Sequence, residues 1–120
     1  MRASALLLVL MLTLLPGLSR AAELVMVEQR GCHWCAQWDA EIAPIYPKTD
    51  EGARAPLRRV QMRDLPDDID FASRPVFTPT FVLVEDGREL GRIEGYAGDE
   101  FFWFVLGQLL DAHPDATALP

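Results

Sequence analysis

The sequence predicts an α/β domain built on a four-stranded mixed sheet with helices on both faces. Its first half carries an apolar run, a helical pattern and a second apolar run, and two strands joined by a helical crossover lie parallel. Its second half carries two strand-like segments joined by a tight turn, which predicts an antiparallel hairpin, and then a further helical pattern. A chain of 120 residues is long enough for one such domain with a modest core.

The N-terminal 21 residues have the composition of a secretory signal peptide. Arg2 precedes an almost wholly apolar stretch at residues 5–15, and the small residues Ser19 and Ala21 precede the expected cleavage point. The apolar stretch is short for a bilayer span, although an uncleaved N-terminal anchor is an alternative. We therefore expect an exported protein.

This interpretation divides the chain into a signal peptide at residues 1–21, a domain at residues 22–113 and a loose tail at residues 114–120. The whole chain has a net charge of −7, and cleavage would leave −9 because the signal peptide holds two arginines and no acidic residue. No basic stripe with interleaved aromatic residues occurs in the sequence, which argues against nucleic-acid binding.

The first strand is predicted at residues 23–29, where the continuous apolar run 24–27 is typical of a central strand. Gly31 supplies a turn, and a helix is predicted from residue 32 to about residue 43. The large apolar residues that recur there at four-residue spacing are Trp34, Trp38 and Ile42. Pro44 and Pro47 end or kink this helix.

The second strand is predicted at residues 57–62, parallel to the first because a helix connects them. Asp50-Glu51-Gly52, ahead of this strand, has the composition of a turn. The polar stretch 64–73, which contains Pro66, is predicted as a short helix or an irregular connection.

The third strand is predicted at residues 80–84, directly after Thr78-Pro79. Pro79 alone is compatible with an ordinary proline at a strand start, where the missing N–H is tolerated. Glu85-Asp86-Gly87 forms a hairpin turn, and the fourth strand returns at residues 88–94. A final helix follows at residues 99–112.

The final helix is more apolar than one buried face requires. Its main apolar stripe consists of Phe102, Trp103, Leu106, Leu109 and Leu110. Phe101, Phe104 and Val105 fall beside this stripe. They indicate either a broad face packed on the sheet or an exposed aromatic patch for a protein partner.

The motif Gly31-Cys32-His33-Trp34-Cys35 contains the only two cysteines of the chain. A two-residue spacing places both thiols on one helical turn, where they can form a disulfide. The N-terminus of a helix stabilises a thiolate, so Cys32 is expected to be the more reactive sulfur. A static structural disulfide is the alternative, although so short a loop constrains the unfolded chain little.

Metal chemistry at this motif receives little support from the sequence. A metal site needs more ligands than two thiols and His33, and His113 is distant in sequence. Haem attachment through a C-x-x-C-H motif is excluded because Ala36 follows Cys35.

The chain resembles the thioredoxin superfamily over the predicted domain. The resemblance depends on the Cys-x-x-Cys motif at a strand-to-helix turn of an exported protein, on Thr78-Pro79 before the third strand, and on Gly95-Tyr96 before the last helix. It implies a thioredoxin-like fold with strand order 2-1-3-4. Within the superfamily, the chain is most similar to the periplasmic thioredoxins of bacterial sulfur-oxidation (Sox) systems.

The similarity to this branch lies in segments that flank the cysteines and continue toward the last helix. These segments are Glu28-Gln29, Trp38, Glu41-Ile42, Tyr46-Pro47, Ala55-Pro56-Leu57-Arg58-Arg59-Val60, Val76-Phe77-Thr78-Pro79-Thr80-Phe81-Val82-Leu83 and Gly91-Arg92-Ile93-Glu94-Gly95-Tyr96.

The resemblance implies a periplasmic, monomeric thiol-disulfide reductase without a cofactor, which keeps a cysteine of a partner protein reduced. The implied partner is the SoxYZ sulfur carrier of thiosulfate oxidation, and the implied electron donor is a membrane thiol transporter of the CcdA type. Two alternatives stay open: a disulfide oxidase or isomerase of exported proteins, and a copper-binding C-x-x-C module.

The resemblance also assigns roles to individual residues. Cys32 would be the attacking thiolate and Cys35 the resolving thiol. Pro79 matches the family's cis-proline, which lies beside the disulfide. Thr78 would offer backbone groups to a docked substrate. From its position inside the motif, Trp34 is expected to cover the sulfur and contact that substrate.

Met26 is a departure from the family, because typical thioredoxins carry there a buried aspartate that serves proton transfer to the resolving thiol. Glu28 lies two residues on and projects from the same strand face. We hypothesise that Glu28, or water, takes over this role; the alternative is a solvent-facing Glu28. His33 either favours the Cys32 thiolate when protonated or faces solvent with little influence.

Overall fold

Residues 21–118 are described by the computed structural model, so the predicted signal peptide lies outside the described residues except for Ala21. The strands are β1 (Ala22–Glu28), β2 (Leu57–Gln61), β3 (Thr80–Glu85) and β4 (Arg88–Glu94). The helices are α1 (His33–Glu41), α2 (Asp50–Arg54) and α3 (Asp99–Asp111), and a 3₁₀ turn covers Tyr46–Lys48.

β1 lies inside the sheet, whose strand order is β2-β1-β3-β4. Leu24 of β1 is paired with Leu57 of the parallel strand β2 and with Leu83 of the antiparallel strand β3. β3 and β4 form an antiparallel hairpin around Asp86 and Gly87, both of which have positive φ. The mixed sheet, its order and its parallel first pair are therefore confirmed.

The side chains of β1 alternate between two apolar layers. Leu24 and Met26 belong to the larger layer, to which α1 and α3 contribute, whereas Val25 and Val27 belong to the smaller one. We expected helices on both faces, but residues 62–75 cover the second face as irregular chain. Pro66 and the four aspartates of residues 64–73 explain this, since both residue types disfavour a helix interior.

Trp38 of α1 is the centre of the larger layer and is fully buried. Its ring centroid lies 5.1 Å from that of Phe81 on β3 and 5.7 Å from that of Phe102 on α3. Phe81 and Phe102 contact each other edge to face at 5.0 Å. Because such aromatic pairs stabilise beyond their burial by about 0.5–1.5 kcal/mol each, this cluster fixes α1 and α3 on the sheet.

The connection from α1 to β2 differs from the prediction at Asp50-Glu51-Gly52, which forms the first turn of α2. Thr49 caps this helix, because its hydroxyl oxygen accepts a hydrogen bond from the Gly52 N–H at 3.0 Å. Asp50 and Glu51 then lie at the positive end of the helix. Glycine is required at position 52 because a Cβ there would lie 1.9 Å from the Tyr46 carbonyl oxygen.

The prediction of a loose tail is wrong for residues 114–118. Ala116 is only 2% exposed, and the Ala22 N–H donates to the Thr117 carbonyl at 2.9 Å. Arg54 donates from Nε to the Ala116 carbonyl at 2.8 Å and also reaches carbonyls at the end of α3. The guanidinium thereby gives the Leu110 and His113 carbonyls a second donor beside the backbone N–H that each accepts, and it binds the tail to α2.

α3 buries Phe102, Leu106 and Leu110, which confirms the core part of its apolar stripe. Phe101 and Phe104 are more than half exposed, so packing on the sheet does not account for them. Among residues 21–118, no helix combines the length and the apolar character that a membrane span requires.

Tyr46 provides a test of the packing between α1 and β2. Its hydroxyl donates to the Ala55 carbonyl at 2.6 Å in the core, and burial, with a smaller contribution from Glu51, raises its pKa well above the usual value. Tyr46→Phe leaves this carbonyl unpaired, so we expect the free energy of unfolding at neutral pH to fall by about 1–2 kcal/mol in urea titrations.

The pH dependence of the same variant gives a second readout. A raised folded-state pKa stabilises the fold fully below the unfolded value of about 10, and this stability is lost as the pH rises above it. Tyr46→Phe should therefore lose less stability than the unmodified protein between about pH 9 and about pH 11. Parallel stability curves for the two proteins would contradict this assignment.

Candidate redox site at the end of the first strand

A tight turn leads from β1 into α1. Gly31 adopts φ +81°, a conformation that side chains other than glycine rarely accept. Cys32 follows in extended conformation and caps α1, because its Sγ accepts a hydrogen bond from the Cys35 N–H at 3.1 Å. A sulfur held at a helix N-terminus by a backbone donor is in a position that stabilises a thiolate.

Cys32 and Cys35 form a disulfide, with their Cα atoms 5.2 Å apart. Cys35 is 5% exposed and belongs to the larger apolar layer, whereas Cys32 is partly exposed at its edge. A docked protein therefore reaches the sulfur of Cys32 more readily than that of Cys35. This asymmetry is what an attacking and a resolving thiol require.

The loop before β3 lies beside this turn because of the sheet register. Val27 near the end of β1 is paired with Thr80 at the start of β3, so the segments that extend past these residues emerge at the same edge of the sheet. The peptide bond between Thr78 and Pro79 is cis, as the family resemblance implies. Pro79 is buried and Thr78 is partly exposed.

Two hydrogen bonds hold this loop in place. The Gln29 side-chain amide donates to Thr78 Oγ1 at 2.9 Å, which ties the loop to the turn before Cys32. The Gly95 N–H donates to the Pro79 carbonyl at 2.7 Å, which ties it to the end of β4. Gln29 was not predicted as a site residue, because no local sequence pattern connects residues 49 positions apart.

Large apolar side chains around the two loops face solvent. Trp34, between the cysteines, is 51% exposed, and Val76 and Phe77, just before Thr78, are exposed as well. Exposed apolar surface beside a reactive group is typical of a protein-binding site. The contact of Trp34 with a substrate stays a prediction, and the exposure of Val76 and Phe77 was not predicted.

His33 lies on the first turn of α1 and is exposed. Its ring contacts the edge of Trp34 at a centroid distance of 4.9 Å. An influence of His33 on the Cys32 thiolate stays a prediction. Within residues 21–118, no three His, Cys, Asp or Glu side chains converge in a way that would hold a metal ion.

Arg59 organises the region where a typical thioredoxin carries its buried aspartate. Met26 occupies that position and is fully buried. Glu28 is neither free nor deeply buried, because its Oε2 lies 2.7 Å from Arg59 Nη1 and its side chain is 20% exposed. Arg59 also pairs with Asp39 of α1 at 2.6 Å and lies over the Trp38 ring.

Arg59 keeps its positive charge beside the two carboxylates. Burial lowers the pKa of Arg59, but its hydrogen bonds to Asp39 and Glu28 outweigh that effect and raise the pKa above the usual value. A guanidinium that remains charged beside both carboxylates fixes the Glu28 carboxylate at the edge of the core. This ion-pair network was not predicted from the sequence.

Tyr96, in the loop after β4, ties that loop to α1. Its hydroxyl donates to the Glu41 carboxylate at the end of the helix. Burial and this hydrogen bond raise the pKa of Tyr96 well above its usual value, so the hydroxyl stays protonated and can donate across the neutral range. Through Gly95, the same loop supports Pro79.

Comparisons with family models and with curated protein sequences give no match. Among solved structures, the chain is similar to the reduced periplasmic thioredoxin SoxS from Paracoccus pantotrophus, with 55% identity and a TM-score of 0.73 over 75% of this chain and 96% of that one. Thioredoxin-2 of the malaria parasite, a component of its protein secretion machinery, is 14% identical, with a TM-score of 0.52 over 75% of this chain and 84% of that one. The Malassezia sympodialis thioredoxin Mala s 13 is 18% identical, with a TM-score of 0.51 over 72% of this chain and 73% of that one. The last two share the fold alone.

Glu28→Gln tests whether this carboxylate takes part in proton transfer to or from Cys35. If it does, resolution of the mixed disulfide should slow about tenfold near neutral pH and recover as the pH rises, since hydroxide and water then replace the base. Stopped-flow kinetics of a preformed mixed disulfide, recorded from about pH 6 to about pH 9, measure this step.

Asp39→Asn is the matched control, because it removes the other carboxylate bound to Arg59. We expect it to leave the pH profile unchanged. An equal effect of both variants would assign the change to the Arg59 network, and an unchanged profile in Glu28→Gln would remove Glu28 from the proton path.

Proposed function

The chain belongs to the thioredoxin superfamily, in the branch of the periplasmic thioredoxin SoxS, and on this premise we propose that it is an exported reductase for a cysteine of a partner protein. It is a thiol-disulfide oxidoreductase, with Cys32 and Cys35 as its redox pair. The observation that carries the proposal is the asymmetry of this pair, with Cys32 at the surface on a helix N-terminus and Cys35 in the core behind it.

The reaction begins from the reduced protein. The Cys32 thiolate attacks one sulfur of the partner's disulfide, a Cys32–partner bond forms, and the other sulfur leaves as a thiol after taking a proton. Cys35, once deprotonated, attacks the Cys32 sulfur, and the partner's second sulfur leaves as a thiol. The partner has then gained two electrons and two protons, and the Cys32–Cys35 disulfide has formed.

The loop that carries Thr78 and Pro79 orients the partner in this reaction. The backbone of Thr78 pairs with an extended segment of the partner, and Trp34 and Phe77 provide apolar contact on either side. Gln29 and Gly95 hold this loop against the turn of Cys32, so the incoming disulfide meets the sulfur in a fixed geometry.

The proposed partner is the SoxYZ sulfur carrier of thiosulfate oxidation, and the proposed electron donor is a membrane thiol transporter of the CcdA type. The proposed location is the periplasm, reached through cleavage of residues 1–21, and the protein acts there as a monomer. These assignments are supported by the similarity to the SoxS thioredoxin. The donor restores both thiols by supplying two electrons and two protons.

Cys35→Ser tests the proposal directly. Without a resolving thiol, Cys32 should remain covalently bound to the partner, so the variant mixed with purified sulfur carrier in its oxidised form should give a complex visible on non-reducing gels. The same complex should disappear after addition of dithiothreitol.

Cys32→Ser is the matched control and should trap at least tenfold less partner, because the remaining Cys35 is buried. Equal trapping by both variants would contradict the assigned roles. Failure of Cys35→Ser to trap the sulfur carrier, with ready trapping of newly exported proteins, would instead favour the oxidase or isomerase alternative.

A further inference from the structure

The loop between β4 and α3 contains two glycines with a left-handed backbone. Gly95 has φ +84° and Gly98 has φ +106°, values that residues with a side chain rarely adopt. Because glycine has the greatest backbone freedom, these two positions can act as hinges on either side of Tyr96 and Ala97. Ala97 is exposed, whereas Tyr96 is only 6% exposed. Tyr96 is therefore the side chain that anchors this loop to the core.

Tyr96 is held both by its ring and by its hydroxyl. The ring packs against Phe102 of α3, with the two centroids 6.3 Å apart, and the hydroxyl donates to Oε2 of Glu41. The other carboxylate oxygen of Glu41 accepts a hydrogen bond from the Gln37 side-chain amide at 2.9 Å. Two donors thus orient the carboxylate, which gives the Tyr96 hydroxyl a fixed acceptor.

Glu41 is unfavourable for α1 considered alone. The C-terminus of a helix carries a partial negative charge and favours basic residues, yet α1 ends at Glu41 and has no basic residue in its last turn. Residues that oppose a local preference are expected at functional sites, where another requirement outweighs that preference. The long-range contact that Glu41 makes is the bond to Tyr96, 55 residues later in the chain.

The anchored loop is also bonded to the docking loop, by which we mean residues 76–79. The Gly95 N–H donates to the Pro79 carbonyl at 2.7 Å, and Pro79 directly follows Thr78, whose backbone pairs with the partner in the proposed reaction. The helix that ends at Glu41 is the helix that begins at the redox pair. The hydroxyl bond of Tyr96 therefore connects the helix that carries the cysteines to the loop that orients the partner.

We propose that Tyr96 is a positioning residue for substrate docking, which fixes the docking loop relative to the redox pair through its bond to Glu41. The inference rests on the proposed function, and it adds a residue that acts through its neighbours. Without the hydroxyl bond, the two glycine hinges let the loop after β4 move, so a docking partner has to order it. This ordering weakens docking, whereas the reactivity of the exposed sulfur toward a disulfide that does not dock is unchanged.

Two disulfides of different size test this inference on the pre-reduced protein. One is dipyridyl disulfide, which has no peptide backbone, and the other is a short peptide of alanine, serine and threonine whose central cysteine carries a pyridyl disulfide. The Cys32 thiolate attacks one sulfur, a bond to Cys32 forms, and the pyridine thiolate leaves and takes a proton, which is followed by absorbance. Cys35, once deprotonated, then attacks the Cys32 sulfur and frees the second thiol.

Tyr96→Phe keeps the ring and removes only the hydroxyl. The ratio of the peptide rate constant to the dipyridyl rate constant should fall about fivefold, because only the peptide has a backbone that can pair with the docking loop. The Gly95 amide proton should also exchange faster with solvent, measured by NMR, since its bond to Pro79 opens more often. Glu41 is exposed, so water replaces the lost donor and the variant is expected to fold.

Variants of Glu41 and Tyr46 provide the controls. Glu41→Gln retains an acceptor oxygen and should keep the ratio, whereas Glu41→Leu should lower it as much as Tyr96→Phe does. Tyr46→Phe is the matched control, because it also removes one hydroxyl from a buried tyrosine. Its bond is to Ala55, before the start of β2 and at the end of the sheet opposite the redox pair, so the variant should lose stability but keep the ratio.

The outcomes separate this inference from the proposed function. An unchanged ratio in Tyr96→Phe, or an equal fall in Tyr46→Phe, would overturn the positioning role alone. A ratio in Glu41→Gln as low as in Glu41→Leu would overturn the assigned hydrogen bond in the same way. An unmodified protein that attacks the peptide but never releases it as a thiol would instead contradict the reductase function, since the ratio reports only the first attack.

Discussion

The antiparallel register between β1 and β3 is the constraint on which the site depends. Because Val27 is paired with Thr80, the turn that carries Cys32 and the loop that carries Pro79 leave the sheet at the same edge. The aromatic cluster around Trp38 maintains this arrangement by joining α1 to the sheet and to α3. A slip of one residue in this register would exchange the two faces of β1 and move Met26 from the larger apolar layer into the smaller one.

The chemistry of the pair follows from the position of α1 relative to the core. The helix begins at the rim of the sheet, so its N-terminal donors point at the sulfur of Cys32, whereas Cys35 one turn later lies in the apolar layer. Met26 stands where a typical thioredoxin has a buried aspartate, so this position of the layer has no ionisable side chain. Arg59 instead binds the Glu28 and Asp39 carboxylates at the edge of this layer. The charged groups therefore stay paired outside the apolar layer that contains Cys35, where a lone buried acid would be costly.

Local patterns in the sequence were sufficient for the strands, for α1 and α3, and for the redox motif, because apolar periodicity and turn residues encode them directly. Asp50-Glu51-Gly52 was misassigned because turn residues also begin short helices, and the capping by Thr49 depends on the preceding turn. The tail beyond residue 113 was misassigned because Arg54, 62 residues before Ala116 in the chain, binds it. The role of Gln29 likewise depends on a contact between distant segments, and strand order came from family resemblance.

We propose that the Cys32–Cys35 pair works as a reductant, and the decisive measurement is the reduction potential of the pair. Equilibration of the purified protein with a series of glutathione buffers, followed by quantification of both thiols, gives this potential. We expect a reducing value, near the value of about −270 mV that is typical of thioredoxin. A strongly oxidising value, near about −120 mV, would contradict it and would indicate a disulfide-forming enzyme.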